Sequence, residues 1–315
     1  MSDRSGRPVL PMWIALVGAV CVGILTATQA RLNGSLGQAI DDGYTAAFIS
    51  FGSGFLILAV LCAVIPAGRS GVARLVRGVR ARGVPAWMLL GGLAGAFTVA
   101  TQGLTVATVG VALFTVGVVA GQTIGGLVLD RVGYGPGGMV AMTVGRLVGG
   151  VIVLAAVLVM AGGDGLDGVP WWMLAMPFLA GAGISWQQAT NGRLRERVGS
   201  PLVATLVNFA GGTAALAVAM LVHVLMEGVP VGFPANPVLY LGGAAGVVYI
   251  FLSAALVRRT GVLLLGLGSV VGLLTTSLVL DALWPPVAGP SAVAAGTAAA
   301  IAFIGVVVAA VRWRR

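Results

Sequence analysis

The chain has 315 residues, of which 58% are hydrophobic and only 9% charged, with a mean hydropathy of +1.05. That balance excludes a soluble domain, and its long apolar runs assign it to a membrane. The +9 net charge rests on arginine alone, since no lysine occurs, and it is not the footprint of a nucleic-acid binder. Cys21 and Cys62 both fall inside apolar runs, which argues against a disulfide framework, and the single histidine, His223, leaves no metal-ligand motif to assemble.

Arg4 and Arg7 stand before the first apolar run and imitate a secretory signal. The end of that run is echoed deeper in the chain, so it reads as part of the fold. Ten spans of about 20 residues fit, the length that a ~30 Å hydrocarbon core requires. They are 12–31, 44–66, 85–107, 109–129, 138–161, 171–191, 202–225, 237–257, 261–283 and 291–311. The longest connection, 67–84, reads as a short basic loop. Arginines set the orientation. With ten spans, the N-terminus, the loops after spans 2, 4, 6 and 8, and the tail share one side and carry every arginine of the connections except Arg31. The opposite loops hold Asp41, Asp42, Asp164, Asp167 and Glu227. Both termini are therefore expected in the cytoplasm.

Two stretches recur. Span 1 ends Gln29-Ala-Arg31-Leu-Asn33-Gly34-Ser-Leu36, and span 6 ends Gln187-Gln-Ala-Thr-Asn191-Gly192-Arg-Leu194, an offset of 158 that still holds at Phe51 and Phe209 and at Gly54 and Gly212. Later the offset becomes 151. Leu90-Gly91-Gly92 matches Leu241-Gly242-Gly243, and Gly110 to Asp130 matches Gly261 to Asp281, with glycines in register and the same terminal carboxylate. The halves fall at 1–165 and 166–315. Each holds five spans, an odd number, so the second enters the membrane upside down. The expected fold is therefore all-α, ten transmembrane helices as two inverted-topology five-helix repeats, an architecture common among secondary transporters.

This arrangement resembles the drug/metabolite transporter superfamily. The Gln-x-x-x-Asn-Gly-x-Leu end of span 1 and the Gly121-Gln122…Asp130 end of span 4 are similar to the YdcZ-like inner-membrane exporters, here as two fused five-helix units. The resemblance implies a polytopic exporter of the bacterial cytoplasmic (inner) membrane, with its pathway between two four-helix cores and with spans 5 and 10 peripheral or dimer-forming, so that a homodimer stays open. Related four-helix multidrug exporters couple to protons through a glutamate in their first helix. Span 1 has no acidic residue, and proton antiport through such a group does not carry over.

Arg146 is the sharpest single residue. It is expected about eight residues into span 5, roughly 12 Å deep at 1.5 Å per residue. It then reads either as an anion-attracting or gating group, or as a structural residue that snorkels or pairs with Asp130. Gln122 lies at similar depth on span 4 and could meet it. Gln102 with Thr98 and Thr101 on span 3, and Tyr249 with Ser253 on span 8, read as helix glue or as pathway lining. Asn33-Gly34 and Asn191-Gly192 read as left-handed helix ends, or with Gln29 and Gln187 as symmetric gates. Asp130 and Asp281 read as structural clamps, for instance on the next helix's free N–H groups. His223 reads as interfacial. Trp186, beside Gln187 and Gln188, could stack on a cargo.

No Gly-x-x-x-x-Gly-Lys-Ser/Thr run exists, so ATP is not expected and neither is any other cofactor. The expected function is a secondary transporter that exports a small metabolite or drug-like solute by alternating access. Its partners are that small-molecule substrate and the lipid bilayer. The alternatives are a lipid or lipid-phosphate flippase, which Arg146 would suit, or an integral-membrane lipid-modifying enzyme. An enzyme would need clustered Asp, His or Lys, and here such residues are single and scattered.

Overall fold

The structure is a computed structural model that describes residues 11–139, 141–161, 169–230, 232–286 and 291–310. Arg4, Arg7, the tail arginines, Asp164, Asp167 and the boundary between the halves lie outside the described residues. Among those described, every regular element is a helix: α1 (Met12–Ile40), α2 (Gly43–Val64), α3 (Pro66–Arg80), α4 (Gly91–Arg131), α5 (Val144–Ala161), α6 (Trp171–Val198), α7 (Pro201–Glu227), α8 (Gly242–Leu283) and α9 (Ala292–Ala310). Single 3-10 turns, Ala86–Leu89 and Pro237–Tyr240, lead into α4 and α8.

The elements differ from the sequence expectation in four places. Spans 3 and 4 form one rod, α4, broken only at Gly110 (φ 83°, ψ 161°), a conformation open to glycine. Spans 8 and 9 likewise run together as α8. The segment 67–84 is largely helical rather than a loop. Pro66 starts α3, and Val72 and Leu75 bury against the core while arginines face out, a stripe too short to register as an apolar run. Finally, α1 and α6 continue past Asn33-Gly34 and Asn191-Gly192, which are therefore mid-helix and not caps. Among the described residues, six helical stretches are long and apolar enough to cross a membrane, and ten are not established. The 28-residue α6 is outside those six, its apolarity diluted by Gln187, Gln188 and Asn191.

The true helix ends follow the repeat. Asp41 closes α1 and Gly199 closes α6, both left-handed (φ 53° and 66°). The next residues, Asp42 and Ser200, are both extended N-caps (φ −149°). Asp42 accepts from the N–H groups of Tyr44 and Thr45 at 2.8 and 3.0 Å, and Ser200 from that of Val203 at 3.3 Å. Each repeat thus begins with a tight helical hairpin.

The main packing is between the halves. α1 lies along α8, α6 along α4, α2 against α7, and α5 against α9. Glycines set these distances. A Cβ on Gly23 would collide with the carbonyl of Ser269, and one on Gly181 with that of Val118; Gly272 meets Val20 and Gly121 meets Phe178 in the same way. Lipid supplies no hydrophobic drive between helices, so such backbone contact is how they hold together. Phe51 and Phe209, repeat mates, stack with ring centroids 4.7 Å apart and sit among Val22, Val99, Tyr249 and Ile250.

Gly121→Val and Gly272→Val should each cost at least about 1–3 kcal/mol through overpacking. A fluorescence melting curve of purified protein would show this as a lower Tm. Gly52→Ala, where a Cβ meets nothing, should leave Tm unchanged or raise it.

Candidate functional site

The close approach of α1 to α8 carries polar side chains with it. Gln29 Nε2 donates to the carbonyl of Gly242 at 3.0 Å, and Asn33 Nδ2 donates to Gln102 Oε1 at 2.7 Å. Asn33 Oδ1 and Ser50 Oγ both crowd the position that a Cβ on Gly242 would occupy. Gln29, Asn33, Ser50 and Gln102 are each at most 2% exposed. Gln29 Oε1, Asn33 Oδ1, Ser50 Oγ and Gln102 Nε2 have no hydrogen-bond partner. Each such atom costs about 1–3 kcal/mol.

The repeat mates form a second cluster where α6 meets α4. Gln187 Nε2 donates to Asn208 Oδ1 at 3.1 Å, and Asn208 Nδ2 donates to Asn191 Oδ1 at 3.4 Å. Gly91 and Gly95 of α4 receive these amides as Gly242 and Gly246 of α8 receive the first set. Asn208, where the first half has Ser50, closes the chain. Ser253 Oγ, mate of Gln102, and Gln188 Oε1 are left without partners. The Phe51–Phe209 stack lies between the clusters: Gly95 touches both Gln187 and Phe51, and Gly246 both Gln29 and Phe209. Ser50 and Asn208 were not singled out from the sequence, although the offset of 158 pairs two polar positions there.

The remaining candidates are placed elsewhere. Tyr249 is buried in the core cluster that holds Phe51 and Phe209. Trp186 is half-buried on α6. Gln122 and Arg146 do not meet. The Gln122 side chain lies against Gly266 of α8, while its backbone carbonyl accepts from Ser185 Oγ at 2.8 Å. Arg146 falls in the first turn of α5, because Pro136 and the glycines around it delay the helix to Val144. It is thus not eight residues deep. Its Nη2 donates to Asp130 Oδ2 at 2.6 Å and its Nη1 to the Ala141 carbonyl at 3.0 Å. Its environment is that of a structural pair.

Asp281 clamps the other end. Its Oδ1 and Oδ2 accept from the N–H groups of Val111 and Ala112 at 3.0 and 2.7 Å. These are the donors that the Gly110 break exposes at the start of the second limb of α4. Arg31 of α1 acts on the same carboxylate, and a cavity of about 490 Å³ opens beside it. His223 lies 3.6 Å from Asp42 and against the Tyr44 ring, at a helix end as expected. One cluster had no sequence signal: Arg193 sits over Trp87 and Tyr134, 5.7 and 5.1 Å from their ring centres, and donates to the Gly133 carbonyl at 2.8 Å.

Residues 14–159 and 168–310 match the family described as "Putative inner membrane exporter, YdcZ", of the drug/metabolite transporter group. The chain belongs to this family. The two matched segments are consistent with two fused units, and the family makes the chain an inner-membrane transporter in general terms. No curated protein matches. A crystal structure described only as that of a protein is similar over 95% of this chain and 96% of its own, with 20% identity and a TM-score of 0.53. At that identity the likeness concerns the fold alone.

The Asp130–Arg146 pair is open to a double-mutant cycle. Arg146→Met or Asp130→Asn alone should cost about 3–5 kcal/mol, because each removes one side of a buried ion pair. The double substitution should cost less than the sum of the two. Additive melting shifts would mean that the pair contributes nothing as a pair.

Proposed function

We propose that this chain is a secondary exporter of a small metabolite or drug-like solute, working by alternating access between two inverted five-helix repeats, 1–165 and 166–315. The observation that carries this reading is the pair of repeat-related amide clusters, Gln29–Asn33–Ser50–Gln102 and Gln187–Asn191–Asn208, set on either side of the Phe51–Phe209 stack. Polar side chains inside a membrane protein are expensive and mark pathways. Two such sets, related by the repeat and divided by an aromatic pair, suit one passage with a closure at each mouth. On this reading the ten spans include both limbs of α4 and of α8, both termini are cytoplasmic, the first cluster lies toward the outside and the second toward the inside. Without an ATP site, an ion or solute gradient drives the flux.

Two measurements test this. Proteoliposomes holding a panel of radiolabelled metabolites and drug-like dyes should lose at least one of them faster than protein-free vesicles. Gln29→Leu and Gln187→Leu should each slow that loss about tenfold or more, the effect of ~1.4 kcal/mol, with melting temperature retained. Loss of transport in neither variant would remove the clusters from the pathway.

Topology is read separately, in a background lacking Cys21 and Cys62. Val229→Cys should react with an impermeant maleimide in whole cells, and Ala81→Cys only after lysis. The reverse pattern would invert the orientation.

A further inference from the structure

A groove of about 540 Å³ runs along the flank of the molecule where the end of α2, the start of α7 and the first three turns of α8 meet. Leu61, Ile65, Leu202, Val247, Val248 and Phe251 line it, and Ile65 and Val248 are exposed, so it opens sideways to the bilayer. Its volume is in the range that takes a small apolar ligand, about 300–1,000 Å³. One cation lines it. Arg74 of α3 donates from Nε to the Val198 carbonyl at 2.7 Å, which fixes the guanidinium beside the start of α7 and leaves its terminal nitrogens without a hydrogen bond.

α3 is amphipathic, with Gly68 and Gly71 buried, Val76 and Val79 exposed, and Arg69, Arg74, Arg77 and Arg80 along the same four turns. Arg82 follows. The hydrogen bonds of Arg69, Arg74 and Arg77 go to backbone carbonyls, and among the described residues no carboxylate pairs with any arginine of α3. Residues 43–129 contain no Asp or Glu at all. A run of five arginines in 14 residues with no internal counter-charge, mounted over an apolar groove open to lipid, has the chemistry of an anionic head-group site.

We propose that this groove seats an acyl chain of one anionic phospholipid, whose phosphate is held by Arg74 with α3 supplying the surrounding positive field. The lipid is a bound partner and not the exported solute, and the assignment does not depend on the transport reading.

The test uses the full chain in nanodiscs of mixed phosphatidylglycerol and phosphatidylcholine, transferred to detergent, with retained lipid counted by native mass spectrometry. Wild type should keep one phosphatidylglycerol in preference to phosphatidylcholine. Arg74→Gln should lower that retention about fivefold, the worth of one arginine near an anionic surface. Arg74→Lys, which keeps the charge, should retain it. Val248→Trp should fill the groove and abolish retention with every arginine in place, and Arg80→Gln, which touches only the surrounding field, should lower it by less than Arg74→Gln does.

Equal retention of the two lipids would overturn the proposal, as would retention that survives both Arg74→Gln and Val248→Trp. If Arg74→Lys loses lipid as fully as Arg74→Gln, Arg74 acts only through Val198 and the proposal fails. A change of oligomeric state on Val248→Trp with lipid retained would make the groove an interface between copies instead.

Discussion

Backbone touching backbone at glycine is the contact on which the rest of this molecule depends. Between α1 and α8, and again between α6 and α4, the helices come so close at Gly23, Gly272, Gly121 and Gly181 that no side chain fits. In water, burial of large apolar groups would hold such helices together. In lipid that drive is absent, and many small van der Waals contacts at minimal distance replace it. Larger side chains at these four positions would push the rods apart. The amides, the aromatic stack and the end clamps would then lose their partners together, because all of them are positioned by the same two helix pairs.

Close packing also brings a difficulty. It buries Gln29, Asn33, Gln187 and Asn191 against glycines, where neither water nor lipid satisfies them. Some partners come from the opposing rod itself, as when the Gly242 carbonyl receives Gln29. The ends of the rods face the same demand. The Gly110 break frees two N–H groups, and Asp281 arrives from α8 to take both. An aspartate at its own helix C-terminus is unfavourable for that helix. It is favourable for α4, whose second limb starts beneath it. The cost on one helix is offset on its neighbour, and the two halves are tied at that point.

Much of this was legible in the sequence for a definite reason. Offsets of 158 and 151 survive because repeat mates occupy matching places, so Gly91 and Gly242, or Phe51 and Phe209, announce each other even in a low-complexity chain. A structural clamp at Asp281 was readable the same way, although the N–H groups it takes belong to α4 and not to the helix that follows. What periodicity and caps could not give was continuity. Asn33-Gly34 looks like a helix end, yet α1 runs on because that glycine packs against Val106 of α4 rather than turning the chain. Arg146 looked deep because the glycine-rich stretch before it was counted as helix. α3 was hidden because its arginines outweigh its valines in any hydropathy window. Asn208 reads as one polar residue in an apolar run, and its meaning needs Gln187 and Asn191, which only the fold brings to it.

The repeat is informative also where it fails. If two halves exchange roles as one mouth opens and the other closes, a perfect repeat would make the two arrangements equal in energy. A bias needs sequence differences at the moving contacts. Serine at 50, where the mate is asparagine, sits in a first cluster with four unpartnered atoms, whereas Asn208 bonds both Gln187 and Asn191, and Gln188 Oε1 and Ser253 Oγ stay unpartnered in the second half. At about 1–3 kcal/mol for each unsatisfied buried group, even one such difference is comparable to the ~1.4 kcal/mol that shifts a two-state population tenfold. Arg146 opposite Thr297 adds a second asymmetry, since the ion pair to Asp130 fastens α5 to α4 by a charge that α9 does not carry at the matching site. On the alternating-access reading proposed above, this asymmetry would make the first cluster the weaker closure and the one that gives way first.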